Sequence, residues 1–241
     1  MSESPSLESP GGQGVLPPPV VTPPPVSYSP AASSAGEPSS PWLSIWTRPR
    51  QTLRLILATD PRRGVFRLAA LGGIAEFLTL CTREGMGDTY SIPVLLALSL
   101  GAGSVLGILG VLVFTAVIAP IGRWLGGRGR SVEVMAALAW ANVPGIWSLL
   151  LWLPRAALLG GETFHPLPAG IQGNPEALLF YGLLQVLQLV IGLWGFAITL
   201  KCIGEAHGFS AWRAFGALIV AGFIVILPIV VIVLAGQALS S

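Results

Sequence analysis

The sequence predicts an all-α, polytopic membrane protein with five transmembrane helices, its N-terminus in the cytosol and its C-terminus outside. Three observations carry that prediction. Of 241 residues, 53% are hydrophobic and only 10% are charged, with a mean hydropathy of +0.75; soluble domains carry about 25% charged residues and need them to coat a water-facing surface. Charge is also absent from long stretches: 34 residues from Thr89 to Gly122, 21 from Val134 to Pro154, 24 from Ala177 to Leu200 and 28 from Ala214 to Ser241. A hydrocarbon core about 30 Å thick needs about 20 apolar residues per helix, so each stretch can cross it. Third, with five spans the basic residues divide eleven to two between the two sides, and the side rich in Lys and Arg is the cytosolic one.

The chain begins with a tail, residues 1–41, that holds 11 of the 21 prolines and 10 serines. Such a composition buries too little apolar surface to offset the entropy of ordering, so the tail is expected to be disordered with local polyproline II. Its first 40 residues contain no Lys, no Arg and no apolar core segment, so no secretory signal peptide is expected there. Residues 42–62 read as an amphipathic helix at the headgroup level. Trp42 and Trp46 share a face at i, i+4, and Pro49 suits a first helical turn. Arg50 and Arg54 face lipid phosphates, Leu53, Ile56 and Leu57 lie on another face, and Asp60-Pro61 ends the helix.

Residues 63–241 form the five-helix domain. The first span runs from about Gly64 to Arg83 and carries Glu76 near its middle. The second lies within Ser91–Leu125 and is over-long for one crossing, and the third covers Ser131–Leu159. The fourth covers Glu176–Ile203 and the fifth Ser210–Ala238, with Gly208 and Ser210 as stop and cap between them. Pro144 lacks an N–H for the carbonyl of Trp140, so the third span should break there; Pro120 and Pro228 can kink the second and fifth. Cys81 and Cys202 fall at opposite membrane faces and should remain unbridged.

Several activities are excluded. A net charge of +2 without a soluble basic face is not a nucleic-acid footprint. The segment Gly122-Arg-Trp-Leu-Gly-Gly-Arg-Gly-Arg-Ser131 lacks the Lys-Ser/Thr pair of a phosphate loop and follows a membrane helix, so it reads as a tight cytosolic hairpin. Gly103-xxx-Gly107 reads as a close-packing face for another helix. His165 and His207 fall in loops, and no HExxH or GxSxG pattern is present. No enzyme, cofactor or metal is expected.

The order of short motifs is more specific than any one of them. Trp46-Thr-Arg-Pro-Arg-Gln-Thr-Leu-Arg54 and Asp60-Pro61 precede the first span. Leu125-Gly-Gly-Arg-Gly-Arg-Ser131 and Ala137-Leu-Ala-Trp-Ala-Asn-Val-Pro144 follow the second, and Gly204-Glu-Ala-His-Gly-Phe-Ser-Ala-Trp-Arg-Ala214 joins the last two. Over Trp42–Ala238 the chain resembles prokaryotic members of the Yip family (the Yip-one domain). The resemblance implies five membrane helices, a cytosolic N-terminus and an outward C-terminus. The family's eukaryotic members are adaptors that contact prenylated Rab-type GTPases in vesicle traffic. The Asp-Leu-Tyr-Gly-Pro segment of those proteins is missing here, and only Asp60-Pro61 stands in a comparable place. Arginine outnumbers lysine twelve to one, a bias that fits a GC-rich bacterial genome and hence an inner (plasma) membrane.

The expected function is a non-enzymatic membrane adaptor or organiser, embedded in the lipid bilayer and binding a membrane or cytosolic protein. Its contact face would comprise Trp46, Arg50, Arg54, Arg128, Arg130, Glu205, Trp212 and Arg213. The glycine-rich helix faces permit a homo-oligomer. The alternative is a small-solute or ion transporter built on polar groups at membrane depth: Glu76, Asn142 at the Pro144 break, and Gln185 and Gln188 in the fourth span. A cavity reaching Glu76 separates the two, because an adaptor needs none.

Overall fold

The computed structural model describes residues 40–166 and 168–240. The expectation of a disordered proline-rich tail lies outside these residues. The segment expected as one interfacial helix is two helices, α1 (Pro41–Thr47) and α2 (Pro49–Thr59). Pro49 causes the break, since it pushes Arg48 out of helical geometry (φ −131°, ψ 55°). Asp60 closes α2 in extended conformation, and its carboxylate accepts the N–H of Arg62 at 2.9 Å.

Helix α3 (Val65–Arg83) starts after Gly64, whose φ of +72° sets the turn into it. Next come α4 (Ile92–Leu98), a π-helical turn at Ser99–Gly103 and α5 (Ser104–Trp124), which make one continuous rod of 33 residues. At the π turn the buried Ser99 hydroxyl donates to the carbonyl of Leu95 at 2.7 Å. Pro120 lies inside α5 without ending it.

The third span is α6 (Ser131–Ala141), α7 (Val143–Ser148), a short 3-10 turn and α8 (Trp152–Leu159). It breaks at Asn142, as the missing N–H of Pro144 requires, and restarts with the Ile146 N–H on the Asn142 carbonyl at 2.9 Å. Helix α9 (Pro175–His207) is capped by Asn174, whose side chain accepts the N–H groups of Glu176 and Ala177 at 3.1 and 3.2 Å. Gly208 (φ +72°) ends it, and α10 (Ala211–Ser240) begins beyond Ser210. The Pro228 side chain lies outside what is described.

Among the described residues there is no strand, and four helical segments are long and apolar enough to cross a membrane: Val65–Arg83, Ile92–Trp124, Ser131–Glu162 and Pro175–His207. The described apolar part of α10, Ala211–Leu227, is a fifth, shorter one.

Close helix packing explains the glycines of the second span. Gly73 of α3 lies directly on Gly103 and Gly107, and a Cβ on Gly103 would sit 3.1 Å from the Gly73 carbonyl oxygen. One buried cluster joins Ile45 of α1 and Leu53 of α2 to Ile118, Val134, Val143, Ile198 and Ile203, so α1 and α2 are part of the core rather than an appendage. At the other end of the bundle Leu78, Cys81, Leu95 and Phe164 form a separate cluster. Cys81 and Cys202 are both free, and each is buried in a different cluster.

Candidate functional site

Three of the predicted contact residues meet one another. Arg50 and Arg54 stand one turn apart on α2, and both reach Glu205 in the last turns of α9. Arg54 Nε donates to Glu205 Oε1 at 2.8 Å, and Arg50 Nη1 lies 3.6 Å from Glu205 Oε2. Arg50 Nη2 also donates to the carbonyl of Phe209 at 3.2 Å. Hydrogen bonding to Glu205, and secondarily its charge, raises the pKa of Arg54 above the ordinary guanidinium value. These arginines therefore fasten α2 to the α9–α10 turn. Trp46 extends the same contact, because its carbonyl accepts the indole N–H of Trp194 at 3.0 Å. Trp194 lies about 16 Å back along α9 from Glu205, so α1 and α2 run lengthwise on that helix.

His207 is the residue that the sequence placed wrongly. It is the last residue of α9 rather than a solvated loop residue, and it is 1% exposed. Its ring stacks on Phe209, with centroids 5.1 Å apart and planes at 6°. Around it lie Gly122 of the last turn of α5 and two glycines, Gly127 and Gly129, of the α5–α6 connection. A Cβ on Gly127 would come 2.7 Å from His207 Nδ1, one on Gly129 2.8 Å from the same atom, and one on Gly122 would overlap the imidazole. The Arg128 N–H donates to the His207 carbonyl at 3.0 Å, and the Gly127 N–H to the Gly122 carbonyl at 2.8 Å. Neither ring nitrogen has a hydrogen-bond partner among the described residues. The imidazole thus acts as a plug that holds the Gly126–Arg130 loop against α9. The available signal was the three glycines at 122, 127 and 129, more than a tight hairpin needs.

This His207 clasp and the arginine contacts to Glu205 bring α2, the Gly126–Arg130 loop and the α9–α10 turn to one end of the bundle. The side chains of Arg128 and Arg130 stay exposed there, as do Arg213, Trp124 (78%) and Trp212 (81%). Arg128, Arg130 and Arg213 form no ion pair among the described residues.

The predicted intramembrane residues are partly gathered. Glu76 and Asn142 line one cavity of about 420 Å³ between α3, α5, α6 and α9. The Asn142 side chain rests on Gly72, one turn before Glu76, where a Cβ would lie 2.9 Å from Nδ2. Both residues also line a second cavity of about 210 Å³ with Gln188. Gln185 is engaged elsewhere, accepting from Arg155 Nη1 at 3.1 Å. Pro144 is buried and packs towards Gly195, where a Cβ would be 3.5 Å away. Among the described residues no group of His, Cys, Asp and Glu could hold a metal ion.

A family model described as the Yip1 domain matches residues 43–233. No curated protein and no solved structure matches the chain. The matched span takes in every element from α1 into α10, and the apolar helices within it account for a multi-pass integral membrane protein. The chain belongs to the Yip1 domain family.

Proposed function

We propose that the protein is a non-enzymatic adaptor or organiser of a bacterial plasma membrane, with its N-terminus and its basic end in the cytosol and its C-terminus outside. The observation that carries this reading is the His207 clasp. It fixes the backbone of the Gly126–Arg130 loop, so Arg128 and Arg130 stand out at a defined place at the same end of the bundle as Trp212 and Arg213. Unpaired guanidiniums on a loop whose backbone is fixed suit an anionic or aromatic patch on a membrane or cytosolic protein, since little loop entropy remains to be lost on binding. Arg50, Arg54 and Glu205 serve by holding the face together.

Crosslinking in the membrane followed by affinity capture tests this. The wild type should retain a partner near stoichiometrically, and Arg128→Glu with Arg130→Glu should lose it while the protein still inserts. Capture of the same partner by the charge-reversed variant refutes the reading.

A second reading, a small-solute or ion transporter, is favoured by one observation: the cavity of about 420 Å³ that reaches Glu76 and Asn142. It requires a flux in reconstituted vesicles that Glu76→Gln abolishes in a folded protein.

A further inference from the structure

Eleven of the thirteen basic residues belong to one end of the bundle; the other two, Arg83 and Arg155, share the opposite end. They come from different spans, yet both line one cavity of about 110 Å³, together with Thr82, Gln185 and Gln188. Arg155 is held by neutral groups alone. Its Nε donates to the Thr163 carbonyl at 3.1 Å, Nη1 to Gln185 Oε1 at 3.1 Å and Nη2 to the His165 carbonyl at 3.5 Å. The rings of Trp152 and Tyr181 lie 5.6 and 5.3 Å from its guanidinium carbon. These contacts orient the cation and leave its charge uncompensated. Arg83 is exposed and makes no hydrogen bond or ion pair among the described residues. The acidic side chains at this end do not fill the gap: Asp88 lies 3.0 Å from His165, Glu162 accepts the Gly170 N–H at 2.8 Å, and neither Glu84 nor Glu176 lines the cavity. Two guanidiniums without a carboxylate, one of them fixed, suit the oxygens of a phosphate.

The same cavity has an apolar continuation. It shares Arg83 and Thr79 with the cleft of about 420 Å³, which follows α3 from Arg83 to Gly72 and is walled by Phe77, Leu80, Leu106 and Phe114. Eleven residues of helix measure about 16 Å, close to half of a hydrocarbon core about 30 Å thick. Its volume lies in the range of small-molecule sites, about 300–1,000 Å³. Apart from Arg83 at the mouth and Thr79, Glu76, Asn142 and Thr199, its walls are apolar and favour hydrocarbon over water, and between membrane helices the available filler is an acyl chain. The chemistry at the mouth therefore calls for an anion, and the chemistry below it for that anion's hydrocarbon tail.

We propose that Arg83 and Arg155 bind the phosphate of one phospholipid whose acyl chain lies in the cleft beneath them. Glu76, about 10 Å inward of Arg83 along α3, and Asn142, which rests on Gly72 one turn deeper, place hydrogen-bonding groups on the wall of that cleft. This site is separate from the Arg128–Arg213 face and stands whether or not that face binds a partner.

The test is native mass spectrometry of the full chain in mild detergent, titrated with phosphatidylglycerol. The wild type should retain one lipid. Arg83→Gln, which removes no contact within the protein, should weaken retention tenfold or more. Gly110→Leu should do the same from the other end: Gly110 lines the cleft, and a Cβ there meets nothing within 4 Å, so the new side chain occupies the chain's place without disturbing the helices. Millimolar inorganic phosphate should not displace the lipid, and Arg62→Gln with Arg63→Gln should leave retention unchanged. Retention that survives Arg83→Gln overturns the proposal, as does an equal loss with the Arg62 and Arg63 substitutions. Retention that survives Gly110→Leu overturns the placement of the acyl chain in the cleft, and displacement by inorganic phosphate overturns the lipid in favour of a free anion.

Discussion

His207 shows what one residue can decide. Its imidazole occupies volume that three glycines leave open, and the loop bearing Arg128 and Arg130 takes its shape from that fit. Over-packing a closed site costs about 1–3 kcal/mol. Gly122→Ala should therefore lower stability in detergent by an amount in that range, read as unfolding by denaturant. In Gly122→Ala with His207→Ala the added methyl enters space that the ring has vacated, because the three atoms nearest a Cβ at position 122 all belong to the imidazole. The double variant should then be more stable than the sum of the single effects by at least about 0.5 kcal/mol; strict additivity means that the ring and the glycine do not compete for the same space. None of this was legible at position 207 itself. The residue follows Glu205 and precedes Gly208, a polar stretch between spans that reads as solvated. The glycines around it belong to a segment far earlier in the chain. Glu76, by contrast, stood out in the sequence because a carboxylate inside an apolar run is costly to insert and therefore rare.

At the scale of elements, backbone chemistry made most boundaries legible. Pro144 broke the third span and Gly208 ended α9, each for a reason intrinsic to proline or glycine, whereas the break that Pro49 makes between α1 and α2 fell inside a segment read as one helix. The glycine contact between α3 and α5 gives this scale its prediction. A Cβ on Gly73 would collide with the backbone of Gly103 and Gly107, which cannot move aside as a side chain can. Gly73→Ala should destabilise by about 1–3 kcal/mol. Gly182→Ala on α9, where a Cβ meets nothing within 4 Å, should stay within about 0.5 kcal/mol of the wild type. Equal effects at the two positions would falsify the close-packed seam. The placement of α1 and α2 was not legible. Their amphipathic pattern fits a lipid surface as well as a protein groove, and the choice depends on what α9 presents: Glu205 for the arginines and Trp194 for the Trp46 carbonyl.

Across the whole molecule, the distribution of charge and the packing of helices give a protein with two unlike ends. One carries the clasped loop, the α2–Glu205 fastening and the exposed Trp124 and Trp212. The other carries Arg83 and Arg155 at the mouth of a cleft. The proposed orientation makes the first end cytosolic, which impermeant thiol labelling can check in intact bacteria. Both native cysteines are buried and free, so the wild type serves as the unlabelled background. Glu84→Cys should label from outside, and Arg128→Cys only after the membrane is opened. The reverse pattern inverts the molecule.

By itself, the sequence determined the membrane class, the helical fold, the span boundaries and the break in the third span. Each follows from local quantities: the length of an apolar run, the missing N–H of proline, the left-handed freedom of glycine. It also determined that two arginines stand apart from the rest. Only the tertiary structure decided that these two share a cavity, that Arg50 and Arg54 are occupied by Glu205, and that His207 is enclosed by glycines. Those facts depend on which faces of distant helices meet. In a bilayer, where every apolar face is equally content against lipid, that choice is made by shape, hydrogen bonds and small residues rather than by the hydrophobic pattern a sequence displays.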